Sequence, residues 1–100
     1  MSPFYRKEGD NYIPLEQLPP DIKVGRGESD KAHVFVNPDD EEQITVYLSG
    51  NVIARDEDGD VIFPGDGSTL INRRDVIFEN VRTGHRAMII HSEKPIVELK

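Results

Sequence analysis

Four aspartates in the middle of the chain have a spacing that suggests a calcium loop. Asp56, Asp58 and Asp60 alternate with other residues, and Asp66 follows. A calcium loop of the EF-hand type needs oxygen ligands at its first, third and fifth positions, glycine at the sixth and glutamate at the twelfth. Counted from Asp56, the sixth residue is valine and the twelfth is glycine. The sequence therefore predicts a β-turn at Asp58 and Gly59, with a weaker cation site as the alternative.

The histidines and serines do not have the spacing of a zinc site or a catalytic centre. Zinc needs three or four ligands in a defined geometry. On one regular strand, His85 and His91 would share a face but lie about 20 Å apart, and His33 belongs to another strand. The serines are predicted in turns without the G-x-S-x-G context of an activated nucleophile. We therefore expect no catalytic residue, no metal and no cofactor.

Positive charge is concentrated in the second half of an otherwise acidic chain. Such a patch favours docking or self-association by charge complementarity over the tracking of phosphates. Ordinary pairing with surface carboxylates is the alternative. The predicted basic interface, which has His85 beside it, consists of Arg73, Arg74, Arg82 and Arg86.

One stretch resembles a known family of β-sandwich domains. Residues 23–30 (K-V-G-R-G-E-S-D), followed by residues 33–38 (H-V-F-V-N-P), resemble the early part of a forkhead-associated domain. The resemblance implies a sandwich of about this length that binds phosphothreonine peptides, with Gly25 and Arg26 as the family's glycine-arginine pair. Residues 67–69 resemble its later glycine-serine turn. Acidic and amide residues stand where the family's serine-x-x-histidine would follow the Asn-Pro loop.

The residues that could position these groups alternate between apolar and polar types. Ile44, Val46 and Leu48 are separated by polar or amphipathic residues, which is the period of a half-buried strand. Turn residues at 49–51 and 58–59 divide residues 43–63 into three runs. The sequence therefore predicts a β-meander of three hairpin-connected strands there.

Short runs of this kind recur along the chain at spacings of about 8–12 residues, which is typical of an all-β sandwich or barrel. We expect a compact antiparallel β-sandwich or barrel of about eight short strands. In the strand over residues 31–36, Ala32 is predicted on one face and His33 and Phe35 on the other. The predicted main core consists of Ile44, Val46, Leu48, Val76, Phe78, Met88 and Ile90.

The N-terminal quarter is rich in proline and in large apolar side chains. Because proline cannot donate to a strand ladder, residues 1–27 are predicted to be an extended arm, and residues 28–100 the β-domain. A short edge strand is expected near residues 12–15. The arm either packs across its own sheet or reaches a neighbouring subunit. Its predicted interface residues are Phe4, Tyr5, Tyr12, Ile13, Leu15 and Leu18.

Composition limits the partners. The chain has 100 residues, no cysteine and a net charge of −7, so we expect one domain without disulfides. The negative charge opposes binding to nucleic acid or to an anionic membrane. Residues 39–42 are all acidic and are predicted to form a solvated loop. The N-terminus lacks the apolar core of a signal peptide, and we expect the protein in a virion or in the cytoplasm.

These features favour a non-enzymatic structural or assembly protein. The concrete form we predict is a small virion component, such as a capsid-decorating, head–tail or tail protein. Its partners would be other protein subunits, including copies of itself. The alternative is a small acidic binding module or an inhibitor of a host protein, remotely similar to a forkhead-associated domain.

Overall fold

Ten short strands account for most of the chain that the computed structural model describes, namely residues 4–17, 21–72 and 75–91. The strands are β1 (Phe4–Glu8), β2 (Asn11–Pro14), β3 (Asp21–Lys23), β4 (Lys31–Val36), β5 (Gln43–Ser49), β6 (Val52–Arg55), β7 (Val61–Phe63), β8 (Gly67–Asn72), β9 (Val76–Asn80) and β10 (Arg86–His91). One 3-10 turn, Leu15–Gln17, follows β2. Within these described ranges, no helix has the length and apolar character needed to cross a membrane.

The strands form two antiparallel sheets that pack face to face. The larger sheet has six strands in the order β2-β1-β10-β9-β6-β7, and the smaller has four in the order β3-β4-β5-β8. Apolar side chains from both inner faces make one core, as expected when two sheets stack about 10 Å apart. The predicted antiparallel β-sandwich is confirmed, with ten strands in the described residues where about eight were expected.

The core follows the alternation of the strands. Ile44, Val46 and Leu48 of β5 are buried, and Val76 and Phe78 of β9 are buried on the opposing sheet. A fully buried aliphatic or aromatic side chain contributes about 1.5–3 kcal/mol relative to an exposed one. These five predictions of buried residues are confirmed.

The prediction for β10 was wrong by one residue. Ala87 and Ile89 are buried, whereas Met88 and Ile90 are only partly buried. Antiparallel pairing places Ala87 opposite Phe78, so both face the core. Residues 87–90 are all apolar, and a run without polar positions does not reveal which face of a strand points inward.

The predicted meander over residues 43–63 was also wrong in part. β5 pairs with β4 and β8 in the smaller sheet, whereas β6 pairs with β7 and β9 in the larger one. Residues 49–51 therefore carry the chain from one sheet to the other and do not close a hairpin. The alternation continues through this corner, since Leu48, Val52 and Ala54 all face the shared core. Only the β6–β7 half is a hairpin.

The N-terminal segment is built into the sheets. β1 lies between β2 and β10, with Phe4 opposite His91 and Tyr5 opposite both Ile90 and Pro14. Phe4 and Tyr5 are buried. The expected separation of an arm over residues 1–27 from a β-domain over residues 28–100 therefore does not describe residues 4–14.

The physical reason lies in where the prolines fall. Phe4–Glu8 contains no proline, so β1 can bond to strands on both sides. Pro14 ends β2 at the sheet edge, where a missing N–H costs little. The edge strand expected near residues 12–15 is β2. Tyr12, Ile13 and Leu15 are half-buried, and Leu18 is outside the described residues. Contact of this segment with another subunit stays a prediction.

Candidate functional site

The outer face of the smaller sheet carries the side chains that alternate with its core residues. Strands β3, β4, β5 and β8 present these side chains in rows across the sheet, because the pairing is regular along β4, β5 and β8. They surround an open groove with a volume of about 440 Å³. The groove is lined by Asp21, Lys31, His33, Phe35, Thr45, Tyr47, Ser49 and Ser68.

Three large side chains project from the middle of this face into solvent. Phe35 is 58% exposed, Tyr47 52% and Leu70 60%. They belong to three adjacent strands, and Thr45 is paired with both Phe35 and Leu70. We call Phe35, Tyr47 and Leu70 the apolar centre. A contiguous exposed apolar patch of this kind marks an interaction site more often than scattered apolar residues do.

His33 supports the apolar centre from the β3 side. Its ring lies 4.3 Å from the ring of Phe35, at an angle of 53°. Its Nδ1 lies 2.7 Å from Oδ1 of Asp21, and Nζ of Lys31 lies 3.9 Å from Oδ2 of the same carboxylate. The hydrogen bond to His33, with help from the charge of Lys31, holds the pKa of Asp21 below its usual value. Asp21 is therefore an anion that fixes the orientation of the imidazole.

One end of the face carries two lysines, one of them paired with Asp21, and the other end is acidic. Lys23 and Lys31 are opposite each other on β3 and β4, and we call them the lysine end. The β4–β5 loop, residues 37–42, lies at the other end and exposes Asp39, Asp40 and Glu41. We call this loop the acidic loop. The predicted solvated loop is confirmed for these three residues.

A row of amides joins the acidic loop to the sheet. Asn37 Nδ2 donates to Oε1 of Gln43 at 2.9 Å, and Gln43 Nε2 donates to Oδ1 of Asn72 at 2.9 Å. Within the loop, Asn37 accepts from the backbone N–H of Asp39, and Asp40 accepts from that of Glu42. These local bonds are typical of Asx turns. They give the loop a fixed position relative to the groove.

The structure describes two of the four arginines of the predicted basic interface, Arg82 and Arg86. Arg86 Nε donates to Oε1 of Glu79 at 2.9 Å, and Arg55 Nε donates to Oε2 of Glu79 at 3.1 Å. These hydrogen bonds hold the pKa of Glu79 below its usual value, and the bond from Arg55 has the larger effect. Arg82 lies in the β9–β10 turn, where it is exposed. Arg73 and Arg74 lie outside the described residues, so no single patch of the four is described.

A buried polar network ties three loops together at the lysine end of the sandwich. Asp30 Oδ1 accepts from the backbone N–H of Asn51 at 2.9 Å, and its Oδ2 accepts from Nδ2 of Asn80 at 2.9 Å. Asn80 is fully buried and also donates to the carbonyl oxygen of Val24 at 2.8 Å. Buried polar groups are stable only when they are bonded in this way. The network fixes the loops and faces the core.

The residues of the forkhead-associated resemblance lie partly in this network. Gly25 has φ of +102°, and a Cβ there would lie 2.6 Å from Nδ2 of Asn80. The close approach of its backbone to Asn80 therefore accounts for the glycine. Arg26 follows it in the β3–β4 loop and is exposed. Residues 67–69 begin strand β8, so the resemblance to a glycine-serine turn is wrong at that point.

The aspartates of the middle stretch form a turn. Asp56 Oδ1 accepts from the backbone N–H groups of Asp58 at 3.0 Å and Asp60 at 2.9 Å. The N–H of Gly59 donates to the carbonyl oxygen of Asp56 at 3.0 Å. The predicted β-turn is confirmed as the β6–β7 hairpin. Across the part of the chain that the structure describes, no three His, Asp or Glu side chains converge as metal ligands.

Sequence reasoning placed His33 and Phe35 on one face of β4, but it did not identify the apolar centre. The available signal was the presence of large side chains at positions that alternate with the core, including Tyr47 and Leu70. No protein-family model matches this chain, and no curated protein or solved structure matches it either.

Proposed function

We propose that this protein is a non-enzymatic assembly protein that docks another protein on the outer face of its smaller sheet. The observation that carries the proposal is the apolar centre, three large side chains that are each more than half exposed on adjacent strands. Specific interfaces have a core enriched in aromatic residues and a polar rim. The apolar centre, with the lysine end and the acidic loop around it, matches that composition.

The groove supports binding over catalysis. Asp21 and His33 form the acid–imidazole pair that a serine hydrolase would use. A serine within hydrogen-bond reach of His33 would be needed to complete a catalytic triad. Ser68 lies two strands away from His33, with Tyr47 between them in the register. Neighbouring strands are about 4.8 Å apart, which puts roughly 10 Å between the two positions. The hydroxyl of Ser49, the other serine of the groove, is directed to the backbone: its Oγ donates to the carbonyl oxygen of Ser29 at 2.8 Å.

The setting we propose is a virion component, for which the support comes from the sequence alone. The chain is short, acidic and rich in strands, and it has no recognisable catalytic motif. A small acidic binding module that stays monomeric is the rival class. The two differ in whether the docked protein is a subunit of a larger assembly or a separate target.

A photo-crosslinking experiment tests the docking face. A photoreactive phenylalanine analogue replaces Tyr47 in one variant and Val61 in a control, since Val61 is exposed to a similar extent on the larger sheet. Both proteins are irradiated at high concentration and in an extract of the cells that naturally produce the chain. We expect protein adducts from position 47, either with a second copy or with another protein. Equal or absent adducts at the two positions would overturn the proposal.

A further inference from the structure

We infer that the occupant of this face is a second copy of the chain, packed face to face and antiparallel about a two-fold axis that lies in the interface, parallel to the sheet and perpendicular to its strands. The inference rests on the proposed function and names its partner. A symmetric dimer uses the same patch on both subunits, so the patch must be complementary to itself. The outer face of the smaller sheet meets that condition in its charges.

The charges on the face are separated along the strand direction. Lys23 and Lys31 lie where β3 ends and β4 begins, and the acidic loop follows the far end of β4. The six residues of β4 span about 17–20 Å at 3.3 Å per residue. The apolar centre lies between the two ends. The face therefore carries opposite charges at its two ends and apolar side chains between them.

Only an antiparallel arrangement pairs opposite charges. A two-fold axis that lies in the interface over the apolar centre and runs perpendicular to the strands reverses the strand direction. Each lysine end therefore faces the acidic loop of the other copy, twice in one dimer. A parallel arrangement would place lysine against lysine and carboxylate against carboxylate, and like charges that face each other oppose such a docking mode. The long stem of a lysine lets its ammonium group reach a neighbouring surface.

The apolar centre supplies the contact near the axis. Sheets that pack face to face are about 10 Å apart, which leaves room for one interdigitated layer of side chains. Phe35, Tyr47 and Leu70 of one copy would fill the spaces beside those of the other. The ring of His33 packs against the ring of Phe35 at 4.3 Å. Rigid aromatic side chains lose little conformational entropy on binding.

The net charge of −7 opposes association of two copies at long range. At physiological ionic strength the screening length is about 8 Å. Charges on distant surfaces of the two copies are therefore screened, whereas the facing lysines and carboxylates lie within that length. The local complementarity decides the orientation.

A charge-swap experiment tests the orientation. The first variant, K23E/K31E, makes both ends of the face acidic, and the second, D39K/E41K, makes both ends basic. Asp40 is left unchanged because its carboxylate bonds within the loop. We expect the wild type to sediment as a dimer and each variant alone to sediment as a monomer. An equimolar mixture of the two variants should form a heterodimer at least as tight as the wild-type dimer.

The controls separate failure of this inference from failure of the proposed function. E57K changes the charge of an exposed residue in the β6–β7 turn and should leave the dimer intact. K23E alone provides a milder variant, and a melting curve checks that each variant is folded. A wild type that stays monomeric at about 1 mM, the weak end of specific binding, would overturn the inference. So would a dimer that survives both swaps, or a mixture that stays monomeric. If position 47 still crosslinks to another protein, the proposed function stands without the dimer.

Discussion

Asp30 is the residue on which the loops at the lysine end depend. The backbone N–H of Asn51 and then the side chain of Asn80 hold the pKa of Asp30 below its usual value, against the opposing effect of burial. The charge is needed because both of its oxygens accept hydrogen bonds from the protein. Asp30 is therefore a group whose ionisation is coupled to folding.

We expect Asp30 to make the stability of the protein depend on acidic pH. The pKa of an aspartate in the unfolded chain is about 3.9, and the folded value lies below it. The unfolded chain therefore takes up the proton first, and stability present above the unfolded pKa is lost as pH falls through the folded pKa. Urea unfolding of the wild type and of D30N between pH 7 and pH 2 measures this. D30N should be less stable at pH 7 and should lose less stability toward low pH. Stability curves of the two proteins that run parallel against pH would contradict the role assigned to Asp30. Both proteins should keep some dependence of stability on pH, because the pKa values of Asp21 and Glu79 are also lowered.

A pair of glycines separates the cost of backbone strain from the cost of crowding. Gly50 has φ of +71° and Gly84 has φ of +78°, so alanine is strained to a similar extent at both. A Cβ at Gly50 would overlap Oδ1 of Asp30, whereas none of the described atoms approaches a Cβ at Gly84 within 4 Å. We expect G50A to lower the melting temperature clearly more than G84A. Equal shifts would show that both the Asp30 carboxylate and the backbone carbonyl oxygen of Ser29, which would lie 2.6 Å from the Cβ, can move aside without cost.

At the scale of the element, β10 gives a direct test of which residues face the core. Ile89 is fully buried and Ile90 is half-buried. We expect I89A to lower the free energy of unfolding by about 2–5 kcal/mol, the usual range for such a change in a core, and I90A to lower it by less. Chemical denaturation of both variants measures the difference. The opposite order would restore the pattern predicted from the sequence.

The same strand shows why sequence alone gave only part of the fold. Alternation located the core face of β5 because polar or amphipathic residues separate Ile44, Val46 and Leu48. It failed at residues 87–90, where no polar residue marks the outer face. It also failed to reveal that β5 and β6 belong to different sheets. Buried and less buried residues alternate in the same way before and after the corner at Gly50. Sheet membership depends on pairing between distant residues, which a local pattern does not contain.

The candidate site, like the fold, was predicted only in part from the sequence. The positions of His33 and Phe35 on one face of β4 follow from alternation, as the sequence predicts. The exposure of that face does not, since a large aromatic residue usually indicates burial. Its charge separation became visible only when pairing brought Lys23 beside Lys31 and placed the acidic loop at the opposite end.

At the scale of the whole molecule, β1 is an interior strand, and its removal should be severe. A chain that lacks residues 1–10 would lose the fully buried Phe4 and would leave β10 without a partner on that side. Truncation of a core phenylalanine alone costs about 3–5 kcal/mol, a large part of the 5–15 kcal/mol that stabilises a typical domain. We expect the truncated chain to show no cooperative melting transition.

A peptide provides the control for this truncation. A synthetic peptide of residues 1–14 contains the β1–β2 hairpin, and adding it to the truncated chain should restore a melting transition. A truncated chain that melts like the full-length protein would show that β1 is dispensable, and residues 1–27 would then act as the separable arm predicted from the sequence.

The pairing of β1 with β10 also sets an order of events during synthesis. β1 is the first of the described strands to leave the ribosome, and β10, its partner, is the last. At typical rates of translation the interval is on the order of ten seconds. Throughout that time the N-terminal hairpin exposes the edge of β1, which could pair with another nascent chain. Contacts between such distant segments also form slowly. The yield of native protein should therefore depend on how well the cell keeps neighbouring nascent chains apart until the six-stranded sheet can close.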